Sequence, residues 1–160
     1  IIVHCTITGL GGTAIEPKID PADISLEYYH RLCDHLGKER VVLRIDPIVH
    51  WEDFQSELKR IAGEAEDRLR ISFVDMSFHK PLEERKRIWE ELGRPEVCGE
   101  PGLPSIPCVS KLDCEILGVK PIPALKGQRK ACGCLANKVE LCTWPPRCTY
   151  GCLYCYWKDE

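Results

Sequence analysis

Apolar positions in the first part of the chain fall into two kinds of run. Short stretches rich in apolar residues at 1–8, 40–46 and 69–75 predict strands. Between them apolar residues recur at helical spacing: Ile24, Tyr28, Leu32 and Leu36 before the stop at Gly37, then Trp51, Phe54, Leu58 and Ile61. Pro81 predicts the start of a further helix, ending at Gly93. Strands separated by one helix each imply a parallel sheet with right-handed crossovers. Three such units are too few to close an eight-stranded barrel. The expected fold class is therefore α/β, a partial (β/α) barrel-like parallel sheet of about three βα units.

The pattern changes near Pro95. Pro95, Pro101, Pro104, Pro107, Pro121 and Pro123 interrupt any long helix, and only 113–117 reads as a short one. Residues 1–97 hold two cysteines, Cys5 and Cys33, and the other nine of the eleven follow. Two domains are expected: a βα-repeat partial barrel over 1–94 and an irregular Cys/Pro-rich, metal-binding tail over 95–160. Charge divides in the same way, with 14 Lys and Arg against 19 Asp and Glu before residue 98 and 8 against 6 after it. The mild basic bias beside the cysteines admits an anionic substrate without arguing for nucleic acid.

At 160 residues, 44% hydrophobic and 29% charged, the chain has a globular composition. No apolar run approaches the roughly 20 residues of a spanning helix, so no membrane association is expected. The opening at Ile1 lacks the basic region of a secretory signal, and the missing initiator Met suggests a trimmed or excerpted chain. An odd cysteine number in a chain with a core of its own argues against a disulfide framework and for metal-bound thiolates in a reducing, cytoplasmic compartment.

The strongest chemical signal is Cys148-x3-Cys152-x2-Cys155, with Tyr154 and Tyr156 on either side of the last thiol. Three thiolates can hold three irons of a [4Fe–4S] cube and leave the fourth open, and the spacing differs from the C-x2-C-x2-C run of bacterial ferredoxins. Cys132-Gly-Cys134, with Cys142, could complete a second cluster or zinc site. Cys98, Cys108 and Cys114 have gaps that match no standard site, so buried or free thiols describe them equally well.

In parallel sheets the chemistry collects at the carboxyl ends of the strands. Those ends supply Thr6 and Thr8, Arg44 and Asp46, and Asp75, followed by Ser77, His79 and Lys80. Arg44, Asp46 and Asp75 are the candidate catalytic side chains. Arg44 and Asp46 share one strand face at spacing two, as a structural ion pair or as a substrate clamp. His79 and Lys80 suit a solvated loop, and His30 and His35 a helix surface. Gly9-Leu-Gly11-Gly12 is no dinucleotide fingerprint, and a tight turn after a strand accounts for it.

Taken in order, several pieces resemble an uncharacterised bacterial domain-of-unknown-function family with a radical-SAM-like C-terminal cysteine cluster. They are Thr6-Ile-Thr8-Gly9 with Glu16-Pro17, Arg40-Val-Val-Leu-Arg44-Ile-Asp46-Pro47-Ile48, Ile71-Ser72-Phe73-Val74-Asp75, Gln128-Arg129 ahead of Cys132-Gly-Cys134, and the terminal Cys148-x3-Cys152-x-Tyr154-Cys155-Tyr156. The ending is also similar to that of spore photoproduct lyase and photolyase-like radical S-adenosylmethionine (SAM) proteins, which points by analogy to a nucleic-acid lesion as substrate. The chain departs from the family in lacking an N-terminal portion of several strands, in Asn137 to Pro146 where the family has a Ser and an Asp-Ile-Gly stretch, and in Tyr150 for a common His.

The resemblance implies a radical SAM enzyme, or a fragment of one. Cys148, Cys152 and Cys155 would bind the cube, and SAM on the open iron would give methionine and a 5′-deoxyadenosyl radical that takes a hydrogen atom from the substrate. Tyr154 and Tyr156 would flank the cluster or the adenine, with Trp157 closing the pocket. The implied partners are an electron donor such as a ferredoxin or flavodoxin, and a missing N-terminal portion or second chain that completes the barrel. Two alternatives stand beside it: a closed cluster for electron transfer with Cys142 as fourth ligand, and a structural zinc module built from the thiols between Cys132 and Cys155. The substrate is not written in the sequence.

Overall fold

A computed structural model of the chain describes residues 1–48, 54–65, 67–73, 106–125, 133–138 and 149–155. Within them the order is β1 (Val3–Thr6), α1 (Ala22–Leu36), a 3-10 turn (Lys38–Arg40), β2 (Val41–Ile48), α2 (Phe54–Gly63), β3 (Leu69–Phe73) and α3 (Lys111–Leu117). The three strands form one parallel sheet in the order β1-β2-β3. Val3 stands opposite Val41 and Thr6 opposite Arg44, while Leu43 stands opposite Leu69 and Arg44 opposite Arg70. The β2–β3 register slips between Ile45 and Ile48, around a cis Asp46–Pro47 bond. The expected mixed α/β arrangement with a small parallel sheet is what the chain forms.

Strand alternation divides the sheet into two unlike faces. Val41, Leu43 and Ile45, with Leu69, Ile71 and Ile7, point to one side and form a buried core with Leu26, Tyr29 and Cys33 of α1 and Leu58, Ile61 and Ala62 of α2. Cys5 packs against that core, where burial, with the neighbouring Cys33, pushes its thiol up from the ordinary value. The two early cysteines thus fill apolar space. The opposite face carries His4, Thr6, Arg44, Asp46 and Arg70 around the buried Val42, and is mostly polar.

The stripe of α1 is rotated over its first half from the one its sequence predicts, while Leu32 and Leu36 pack, partly buried, against the core as expected. Ala22, Leu26, Tyr29 and Cys33 are its buried residues, whereas Ile24 and Tyr28 are 42% and 49% exposed. Both sets keep helical spacing, and the smaller Ala22 and Cys33 allow close approach to the sheet, leaving amphipathic Tyr28 at the surface. Leu58 and Ile61 of α2 are buried as expected. Pro81 and the helix predicted after it, with Trp51, His79 and Lys80, lie outside the described residues.

Residues 106–125 connect to β3 at its start. Ile106 N–H donates to Leu69 O at 2.9 Å, and Arg68 pairs with Asp113 of α3 at 2.5 Å, both side chains under a tenth exposed. A capping box starts α3: Ser110 Oγ accepts from Asp113 N–H at 3.2 Å and Asp113 Oδ2 accepts from Ser110 N–H at 2.7 Å. Burial alone would raise the Asp113 carboxyl, but the Arg68 guanidinium and the Ser110 donors hold it below the usual range.

Candidate functional site

The carboxyl end of β1 leads into the loop 7–20, folded back on itself by its glycines. A Cβ on Gly11 would lie 2.0 Å from the Asp20 carbonyl oxygen, so only glycine fits there. Gly12 N–H donates to Glu16 O at 3.1 Å and Thr13 N–H to Leu10 O at 3.1 Å. This turn carries Glu16 back beneath the strand end, where its side chain is 2% exposed. A buried carboxylate needs donors. Thr8 Oγ1 donates to Glu16 Oε2 at 2.6 Å, and the Tyr154 hydroxyl donates to Glu16 Oε1.

Tyr154 belongs to the cysteine loop. Leu153 N–H donates to Ile15 O at 2.9 Å, Lys18 Nζ donates to Thr149 O at 3.0 Å, and Leu153 and Tyr154 pack against the apolar core. Burial, then the Glu16 hydrogen bond and charge, then Cys152, push the Tyr154 phenol far above its ordinary value, so it remains a donor. Cys152 and Cys155 lie in one turn, with Cys155 N–H donating to Cys152 O at 3.1 Å and Gly151 at φ +73° ahead of it. Both are partly exposed.

Arg44 and Asp46 point from β2 onto the polar face, where Arg44 Nη2 donates to Asp46 Oδ2. Arg44 Nε is buried without a partner. His4 shares this face, and its pKa is lowered by burial first and then by Arg44, with Arg68 and Arg70 adding to the effect against Asp113. The polar face is therefore rich in guanidinium groups.

Of the residues that the sequence singles out, Cys152, Cys155 and Tyr154 come together at the carboxyl end of β1, and Arg44 and Asp46 lie at the carboxyl end of β2. Cys134 lies elsewhere, beside Cys108 near β3. Asp75, Tyr156, Cys148, Cys132 and Cys142 lie outside the described residues. Among the described residues no group of three or more His, Cys, Asp or Glu side chains is arranged to hold a metal. Sequence reasoning gave no role to Glu16, whose only signal was its place in the ordered set of family-like pieces. Nor did it connect Cys108 with Cys134.

The described residues form an α/β sheet whose first strand end is joined to a thiol-bearing loop. Residues 1–97 match the family described as Domain of unknown function (DUF1848), and the chain belongs to that family. No curated protein and no solved structure matches it. Among the described residues no helix is long and apolar enough to cross a membrane.

Proposed function

We propose that the chain is a radical SAM-type iron–sulfur enzyme, or the part of one that binds the cluster, acting by hydrogen-atom abstraction. The observation that carries this reading is the tethering of the cysteine loop to the carboxyl end of β1 through Tyr154, Glu16 and Thr8. Ligands and reacting groups of α/β sheets gather at that end.

Cys152 and Cys155, with Cys148 completing the motif, are the residues that would hold a [4Fe–4S] cluster. Their shared turn and partial exposure fit thiolate ligation. When bound, such a cluster with SAM on its open iron supplies a 5′-deoxyadenosyl radical. The protein's own residues do the rest. Glu16 and Tyr154 fix the loop, Leu153 seals its underside against the core, and Arg44 with Asp46 offers a charged pair for an anionic substrate. Asp75 and Tyr156 are proposed to join them as a substrate contact and a second aromatic flank.

On this reading the polar sheet face is the interior of a partial barrel, residues 95–160 form the metal-binding segment, and further strands from a longer chain or a second copy complete the enclosure. The electron donor is a ferredoxin or flavodoxin. The compartment is the reducing cytoplasm, and a nucleic-acid-derived molecule is one substrate class that the similarity of the terminal motif favours.

Anaerobic reconstitution with iron and sulfide tests this. A reduced cluster whose electron paramagnetic resonance signal changes when SAM is added, together with 5′-deoxyadenosine formed under dithionite, is the expected result. A signal indifferent to SAM would instead establish a closed electron-transfer cluster, and a colourless protein that keeps only zinc would establish a structural zinc module.

A further inference from the structure

Three segments distant in sequence meet on the β3 side of the sheet. Ile106 N–H is bonded to Leu69 O, and Leu135 N–H to Val109 O at 2.9 Å, so 106–110 lies between β3 and the segment 133–136. Each segment contributes one group to a single cluster. Cys108 N–H donates to Cys134 Sγ at 3.2 Å, and Arg70 Nε donates to Cys108 Sγ at 3.2 Å. Both thiols are partly exposed.

We propose that Cys108 and Cys134 ligate a thiophilic metal ion, of the class represented by Zn2+, at a site separate from the terminal cysteine loop. A neutral thiol is a weak hydrogen-bond acceptor, so an N–H···S contact on each of the two sulfurs suits metal-bound thiolate. In such sites donors to the sulfur form the outer shell that orients the ligands and tunes the metal. Arg70 takes that positioning role, offsetting negative charge on Cys108. Gly133, at φ +59°, makes the turn that presents Cys134. The terminal loop, by contrast, is fixed to residues 15–18 beyond β1, the opposite edge strand of the described sheet. Each thiol gives up its proton on ligation, and no oxidant or reductant is needed.

The test uses the full chain carrying Cys148→Ser, Cys152→Ser and Cys155→Ser, prepared anaerobically, with Zn2+ as the probe. Metal is counted per chain, and alkylation of each remaining cysteine is followed by mass spectrometry. The expected result is a retained zinc ion, with Cys108 and Cys134 alkylated about tenfold more slowly or less when zinc is present. Cys33 and Cys114, both buried, should be unaffected by zinc. Any other thiol protected in parallel is a further ligand of a tetrahedral site.

Arg70→Gln should weaken Zn2+ binding by about tenfold to a hundredfold, with partial recovery in Arg70→Lys. Equal alkylation of Cys108 and Cys134 with and without Zn2+, or a disulfide between them in air-free protein, overturns the proposal. Because the protection readout needs no substitution at Cys108 or Cys134, misfolding of such variants does not obscure it. Because the terminal thiols are absent, its outcome is independent of the cluster assay above.

Discussion

The Tyr154 hydroxyl donates to the Glu16 carboxylate across 138 positions of sequence, joining the cysteine loop to the end of the first strand. Glu16 is buried and also accepts from Thr8, so among the described residues Tyr154 supplies one of two side-chain donors to that carboxylate. A hydrogen bond to a charged group contributes about 1.5–3 kcal/mol, and its removal leaves a buried oxygen unpaired. Tyr154→Phe should therefore lower stability in urea by about that amount and, if the proposed cluster is reconstituted, hasten its loss of iron to a chelator, while the far-ultraviolet circular dichroism of the sheet and helices persists. Unchanged iron retention would show that the tether does not support the loop.

Glu16→Gln probes the same junction from the other side. The amide keeps an acceptor for one hydroxyl but places its NH2 against the other, so both Thr8 and Tyr154 cannot donate to it as before. The expected loss is about 1–3 kcal/mol, measured by urea unfolding. Combined with Tyr154→Phe, the two losses should fall short of additivity, because the residues share one interaction.

The strands were legible in the sequence because apolar residues recur at every second position, Val41, Leu43 and Ile45 and then Leu69 and Ile71, where they face the core. The buried face of α1 was legible only in part: Leu32 and Leu36 pack against the core as read, whereas Ala22, Leu26, Tyr29 and Cys33 displace Ile24 and Tyr28 at equal helical spacing. Glu16 was hidden for another reason. A carboxylate between Gly12 and Pro17 reads as a solvated loop residue until its distant phenol is known. Likewise the gap from Cys108 to Cys134 matches no ligand spacing, and only hydrogen bonds among three segments bring the pair together. Cys152 and Cys155, close in sequence, also lie in one local turn.

Arg68 and Asp113 form a buried pair whose loss should be costly. Arg68 Nε and Nη1 already lack partners, so Asp113→Ala would strand a buried guanidinium. Breaking one side of such a pair costs about 3–5 kcal/mol, and here the capping box of α3 is lost as well. The linkage sign follows from the lowered carboxyl. Its stabilising contribution is complete above the unfolded value of 3.8 and fades as pH falls through the lower folded value. Urea midpoints measured with decreasing pH should show that loss in the wild type and not in Asp113→Ala.

Gly11→Ala places a methyl group against the Asp20 carbonyl, with an unrelaxed distance of 2.0 Å. Backbone on both sides must move, at about 1–3 kcal/mol, and the movement displaces Glu16 on the same turn. Thermal unfolding should register the cost. Quenching of the loop tyrosines should register the displacement, and a variant that matches wild type in both would contradict the close approach.

His4 gives a second, separate dependence on pH. Burial and the cations Arg44, Arg68 and Arg70 lower its pKa against the opposing pull of Asp113, so the imidazole folds neutral. The unfolded chain, with a value of 6.5, binds a proton more readily than the folded one. Stability from this group is therefore complete above pH 6.5 and falls as pH drops through the folded value. His4→Gln removes the titration and should flatten the stability profile just below pH 6.5, leaving the more acidic decline due to Asp113 in place. Nuclear magnetic resonance of the His4 ring gives the direct check: an apparent pKa at or above 6.5 would mean that the guanidinium-rich face does not act on it.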